Sequence, residues 1–168
     1  MELFLGFAAA WVLLYATAPL LLVLPHELGH ALTALAVGAP HAEVNVGLEP
    51  RPIRLRVGRL ALQMRLLNRP RYAWFGFVQT DLPGASRGAR IAVAAAGPIV
   101  SLLLVAAWTA ASLSMKGSFL GLYFAVLGLA AFISFLATAI PLRYGRLFGP
   151  YDGHMSDGYR IRTLLRQA

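Results

Sequence analysis

The chain contains no cysteine, so disulfides and thiolate metal sites are excluded and any metal must be held by His, Asp or Glu. It is also poor in charge. Only 13% of its 168 residues are Asp, Glu, Lys or Arg, against about 25% in an ordinary soluble domain. Acidic residues are the scarcer kind, 7 against 15 basic ones. Apolar residues fill the remainder, 58% of the chain, and they stand in uninterrupted runs. The composition is that of a membrane protein, and the length suits a single domain.

Residues 3–23 carry no charge and alone meet the roughly 20-residue requirement for crossing a bilayer core. The apolar character continues to Val37. A single helix over that run would be about 52 Å long, beyond a core of about 30 Å but too short for two crossings. One long helix is therefore expected, overrunning the membrane and bent near Pro19 and Pro25, where proline removes a backbone donor. Residues 91–115 and 117–142 form two further uncharged spans, with Lys116 in the turn between them. Ala16-Thr17-Ala18 looks like a signal cleavage site. The start is Met-Glu rather than basic, however, and the apolar stretch is too long for a signal.

Nine Arg lie between Val37 and Ile91, five lie in residues 143–168, and Lys116 stands alone. The positive-inside rule then places the N-terminus outside and both the 38–86 insert and the C-terminal tail in the cytoplasm. This accounts for the formal charge of +8 without nucleic acid. Arg54, Arg56 and Arg65 alternate with apolar residues instead of forming a run, so no nucleic-acid partner is expected. The expected setting is multi-pass in the cell membrane of a bacterium, with the lipid bilayer as a constant partner.

The insert shows strand periodicity. Ile53, Leu55 and Val57 alternate with Arg54 and Arg56, and Leu60, Leu62, Met64 and Leu66 alternate with Ala61, Gln63 and Arg65. The phase slips at Gly58-Arg59, which predicts a hairpin. Residues 42–48 and 73–79 are weaker strand candidates. The plain reading is an amphipathic sheet lying over the membrane face. An exposed edge could also take an extended peptide by strand addition, which makes Ile53, Leu55, Val57, Leu60, Leu62 and Met64 a candidate substrate strand.

Pro25-His26-Glu27-Leu28-Gly29-His30 lies in the expected cytoplasmic part of the first helix. Histidines at i and i+4 share one helical face, and the Glu between them can reach the same ion. This spacing is that of zinc hydrolases. Two neutral imidazoles hold Zn²⁺, whose charge acidifies a water, and Glu27 takes its proton and delivers it to the leaving amine. Three of the chain's eleven Asp, Glu and His residues fall within these five positions of an apolar helix, where ionisable groups are costly and usually functional.

A third ligand has few sources. Glu2 is on the wrong side, which leaves Glu43, Glu49, Asp81, Asp152, Asp157, His41 and His154. The third span returns to the site's side near Leu142, so the tail can fold back, and Asp157 and Asp152 are the best candidates. Each precedes a Gly that permits a tight turn. Tyr159, Ile161, Leu164 and Leu165 then form a short amphipathic pattern that could anchor Asp157-Gly158 at the interface.

His26-Glu27-Leu28-Gly29-His30 in the first span, Gly97-Pro98 in the second, and Pro141 followed by Ser156-Asp157-Gly158-Tyr159 after the third together resemble the site-2 protease family, the M50 intramembrane zinc metalloproteases. The resemblance covers nearly the whole chain and implies a compact, three-core-helix member with a strand-rich insert. Its implications are His26, His30 and Asp157 as ligands of one zinc ion, Glu27 as catalytic base, and a membrane-spanning or membrane-tethered peptide as substrate. It also raises Asp157 above Asp152. Two positions depart from the pattern, Ser101 and Thr138, where the family often has Asn. They are the candidates for oxyanion or substrate support, although a hydroxyl lacks the amide's reach and second polar atom.

Gly97-Pro98, preceded by Ala94, Ala95 and Ala96, reads equally as a small-residue face for close helix packing. Trp74, Phe75 and Phe77 are expected at the membrane interface, where aromatic rings are enriched. The leading expectation is a polytopic α-helical intramembrane endopeptidase cutting near the cytoplasmic face. A non-catalytic, metal-binding membrane interaction or regulatory protein of the same architecture is the alternative, and Ser101 and Thr138 favour it. A transporter would need polar residues spread through the spans, which offer mainly Ser and Thr.

Overall fold

A computed structural model describes residues 2–48, 51–65 and 74–167. Leu66, Ala73 and Glu49, which figure in the strand and ligand expectations, lie outside the described residues. The first apolar run forms α1 (Glu2–Ala18), a π-helical segment (Pro19–Val23) and α2 (Leu24–Ala36) without a break. Pro19 and Pro25 remove two donors from the ladder. Between them the helix widens, and the N–H of Leu24 reaches back to the Pro19 carbonyl. The expected disturbance at the prolines therefore takes the form of a π segment, a feature common at functional sites. Below it, α2 places His26, Glu27 and His30 on its buried side.

Four strands follow: β1 (Ala42–Val46), β2 (Ile53–Val57), β3 (Leu60–Met64) and β4 (Gly76–Thr80). They form one sheet in the order β2-β3-β1-β4. β2 and β3 make the expected hairpin around Gly58, whose φ of 58° lies in the left-handed region that glycine tolerates. β3 runs parallel to β1, and β4 antiparallel to it. Ala42, Val44 and Val46 of β1 pack with Val23 and Ala31 of the first helix, which seats the sheet on α2. Because β3 is paired on both sides, Leu60, Leu62 and Met64 offer no free edge to a peptide. Of the expected substrate strand, only Ile53, Leu55 and Val57 of β2 lie at an edge.

The second and third apolar runs form α3 (Arg87–Ser114) and α4 (Phe119–Ala139). Together with the 33-residue stretch Phe4–Ala36, they are the three helices long and apolar enough to cross a membrane. α3 packs on both α2 and α4, and α4 packs on α1. α4 ends three residues short of Leu142. Past it, a 3₁₀ turn (Arg146–Tyr151) leads to α5 (Asp157–Arg166), which returns to lie on α3. The aromatic residues before β4 pack against the protein itself. Phe75 is buried with its ring 4.6 Å from that of Tyr151, and Trp74 packs against the core shared by α1 and α4.

Candidate metal centre

α2, α3 and α5 bring His26, His30 and Asp157 together although the sequence separates Asp157 from the histidines by more than a hundred residues. The Nε2 atoms of the two histidines are 3.2 Å apart, and Oδ2 of Asp157 lies 3.4 Å from the first and 3.3 Å from the second. These spacings can be tested against an ion. Tetrahedral zinc with bonds of about 2.0–2.1 Å spaces its ligands about 3.3–3.4 Å apart. Two imidazoles and one carboxylate with these edges fit one face of such a tetrahedron and leave the fourth position open, as a catalytic site requires.

The far nitrogen of each ring is held. Nδ1 of His30 lies 2.7 Å from the carbonyl of Val93, which can only accept, so Nδ1 carries a proton and Nε2 faces the cluster. Nδ1 of His26 lies 2.8 Å from Oγ of Ser101. Ser101 is 2% exposed, and its hydroxyl oxygen stands where it can accept from that ring and hold its orientation. The Thr138 hydroxyl donates to the carbonyls of Ser134 and Phe135 in its own helix.

Three glycines make the assembly possible by the contacts a side chain would block. A Cβ on Gly97 would collide with Nε2 of His30 and lie 2.6 Å from Nε2 of His26. Gly97 therefore clears the space in front of both ligand atoms, a role beyond the helix packing its small neighbours suggest. A Cβ on Gly29 would stand 2.9 Å from the Ala96 carbonyl oxygen, so this glycine sets the approach of α2 to α3. Gly158 abuts the end of α4, where a Cβ would run into the Ala139 carbonyl.

Ser156 fixes the same junction. It is 1% exposed; its hydroxyl donates to the Ile140 carbonyl and accepts from the amides of Leu142 and Tyr159. It thus caps α5 and clips it to the chain leaving α4. Asp157 then sits in the first turn of α5, where the helix dipole favours a carboxylate. Burial alone would raise its carboxyl, but the two imidazoles outweigh burial and hold it well below the usual carboxylate range.

Glu27 is buried, 6% exposed, beside the histidines. Gly76, the first residue of β4, is pressed against it: a Cβ there would be 2.9 Å from Cγ and Oε1 of Glu27. The remaining ligand candidates are elsewhere. Asp152, His154, Asp81 and His41 are exposed, and Glu43 accepts hydrogen bonds from Asn45 and Gln63 on the sheet. Among the described residues, only His26, His30 and Asp157 form a cluster able to hold a metal ion.

Three apolar helices enclosing a His-Glu-x-x-His helix face and a distant Asp define a membrane protein of the metallopeptidase class. Residues 14–162 match Peptidase family M50, and the chain belongs to that family. No curated protein matches the chain.

Proposed function

We propose that the protein is an intramembrane zinc endopeptidase that cuts membrane-spanning or membrane-tethered peptides near the cytoplasmic face. The triangle of Nε2, Nε2 and Oδ2 at 3.2–3.4 Å carries this reading. His26, His30 and Asp157 would hold one zinc ion, which when bound polarises a peptide carbonyl and lowers the pKa of water. Glu27 takes the proton from the attacking water and passes it to the departing amine. Ser101 and the Val93 carbonyl keep the two imidazoles turned with Nε2 inward. The surrounding helices exclude bulk water, which strengthens each of these interactions.

The Arg-rich insert and tail lie at the same end of the bundle as the site, and the positive-inside rule assigns that end to the cytoplasm. A helical substrate hides its carbonyls from attack and must be held extended. Among the described residues β2 is an outer strand of the sheet, and its edge offers backbone groups for that, on the side away from Glu27. Glu27→Gln should keep one zinc per chain and cut no transmembrane peptide; undiminished turnover by this variant would contradict the mechanism. One observation favours the non-catalytic alternative. The Thr138 hydroxyl is spent on the carbonyls of Ser134 and Phe135, and loss of an oxyanion donor costs about 10²–10³ in rate. Failure of the zinc-loaded wild type to cut any transmembrane peptide would select that reading.

A further inference from the structure

Tyr151 has no part in the candidate ligand set, yet its hydroxyl meets the backbone at Gly76, where a Cβ would overlap the Glu27 side chain. It accepts from the Gly76 amide at 2.8 Å and donates to the Gly76 carbonyl at 2.9 Å, with the Trp74 carbonyl at 3.3 Å. In an antiparallel ladder, a residue whose N–H and C=O are both satisfied by one partner is in a hydrogen-bonded pair. β4 is the last strand of the sheet, and its other side is taken by β1. A single side-chain oxygen thus supplies what a neighbouring strand would supply at this point of the edge.

The rest of Tyr151 is fixed as well. Its ring stands 4.6 Å from that of Phe75 and 5.4 Å from that of Tyr144. Burial pushes the phenol well above its ordinary value, so the hydroxyl stays a donor at any working pH. Gly76 is therefore held by the Tyr151 hydroxyl on its backbone, and its Cα faces Val23 and Glu27 so closely that a Cβ would stand 2.5 Å from Val23 Cγ1 and 2.9 Å from Cγ and Oε1 of Glu27. With no side chain of its own, it transmits the position of the hydroxyl to Glu27.

We infer that Tyr151 is a positioning residue for Glu27: its hydroxyl clamps Gly76, and the clamped backbone sets where the Glu27 carboxylate stands. This rests on the reading of Glu27 as the base. A carboxylate freed to move about 1 Å from its working place loses up to 10²-fold in rate without losing substrate affinity.

The test compares wild type, Glu27→Gln, Tyr151→Phe and Tyr144→Phe, all zinc-loaded, on a quenched transmembrane model peptide. Tyr144→Phe is the control, because its hydroxyl, in the same loop as Tyr151, donates to the Ala137 carbonyl of α4 instead of bonding to β4. Tyr151→Phe should lower kcat about tenfold or more with KM and zinc content within twofold, and Tyr144→Phe should leave kcat within twofold. A second reading needs no turnover. The infrared carboxyl band that disappears in Glu27→Gln should shift or split in Tyr151→Phe and stay in place in Tyr144→Phe. If wild type cuts no peptide, the assigned reaction fails while the band still decides the clamp. An unmoved band overturns the inference. So does an unchanged or increased kcat in Tyr151→Phe, an increase meaning that the hydroxyl obstructs the edge instead of steadying it.

Discussion

At one end of the bundle, α1 and α4 meet through Ala10, Leu14, Ala18, Leu127, Ala130 and Ala131, with Trp108 and Leu104 of α3 packed alongside. At the other end, α2, α3 and α5 meet through His26, His30, Ser101, Asp157 and the glycines among them. Lipid tails are as apolar as leucine, so the first end gains little from the hydrophobic effect and relies on small residues and close contact. It also tolerates an unmet polar group. The buried indole N–H of Trp108 has no hydrogen-bond partner among the described residues. The second end leaves neither imidazole without a partner on its far nitrogen. At the apolar end the Trp108 N–H goes unpaired beside the Thr17–Tyr123 hydroxyl pair; at the other end both candidate ligand rings are tied.

The sharpest way to break this contrast is to add the same methyl group at each end. Gly97→Ala should abolish zinc binding and peptide cleavage, because the methyl would stand against both Nε2 atoms. Gly128→Ala should alter neither, since its nearest contact would be Thr109 Oγ1 at 3.4 Å and alanine suits a helix interior better than glycine. Zinc content of the two purified variants checks this, and a fully loaded Gly97→Ala protein would refute the role given to Gly97.

Removing one ligand comes next. Asp157→Ala should weaken zinc by more than about 100-fold, beyond the range seen for supporting residues, as read by chelator competition. Full occupancy in that variant would mean that a residue outside the triangle completes the site. Ser101→Ala should weaken zinc by about 10–100-fold while leaving the fold intact, because it frees the His26 ring without removing it. An unchanged affinity there would show that helix packing alone holds His26.

The smallest effect on the metal should come from the apolar end. Leu14 is fully buried, and Leu14→Ala should cost about 2–4 kcal/mol of stability while zinc affinity stays within about twofold, as distant sites act independently. Equilibrium unfolding in detergent beside the same chelator titration measures both. A large loss of zinc affinity would mean the two ends are coupled.

Much of this arrangement was legible in the sequence, for local reasons. The spans, the hairpin at Gly58 and the His26-Glu27-His30 face each follow from periodicities within a few turns or strands. Asp157 was reachable on composition only as one of two Asp-Gly pairs. The motif resemblance favoured it, and the geometry seats it because Ser156 and Gly158 dock α5 against the end of α4. What sequence reading missed depends on contacts between distant elements. Gly97 looked like a packing glycine because nothing near it in sequence reveals that two imidazoles approach from α2. Ser101 stands in the sequence as a candidate for oxyanion or substrate support, and its contact with His26, 75 residues away, is visible only in the fold. Tyr151 had no signal at all, since its role exists only where the loop before α5 meets the edge of β4. The parallel pairing of β1 with β3, which closes one side of the hairpin, is equally non-local.

The central claim is that His26, His30 and Asp157 form one zinc site. X-ray absorption at the zinc edge on purified wild type, beside Asp157→Ala, tests it most directly. The account predicts one zinc per chain bound by two imidazoles and a carboxylate oxygen at about 2.0–2.2 Å, with the oxygen signal and most of the zinc lost in Asp157→Ala. Zinc bound by fewer than two imidazoles, or an unchanged spectrum in the variant, would contradict it.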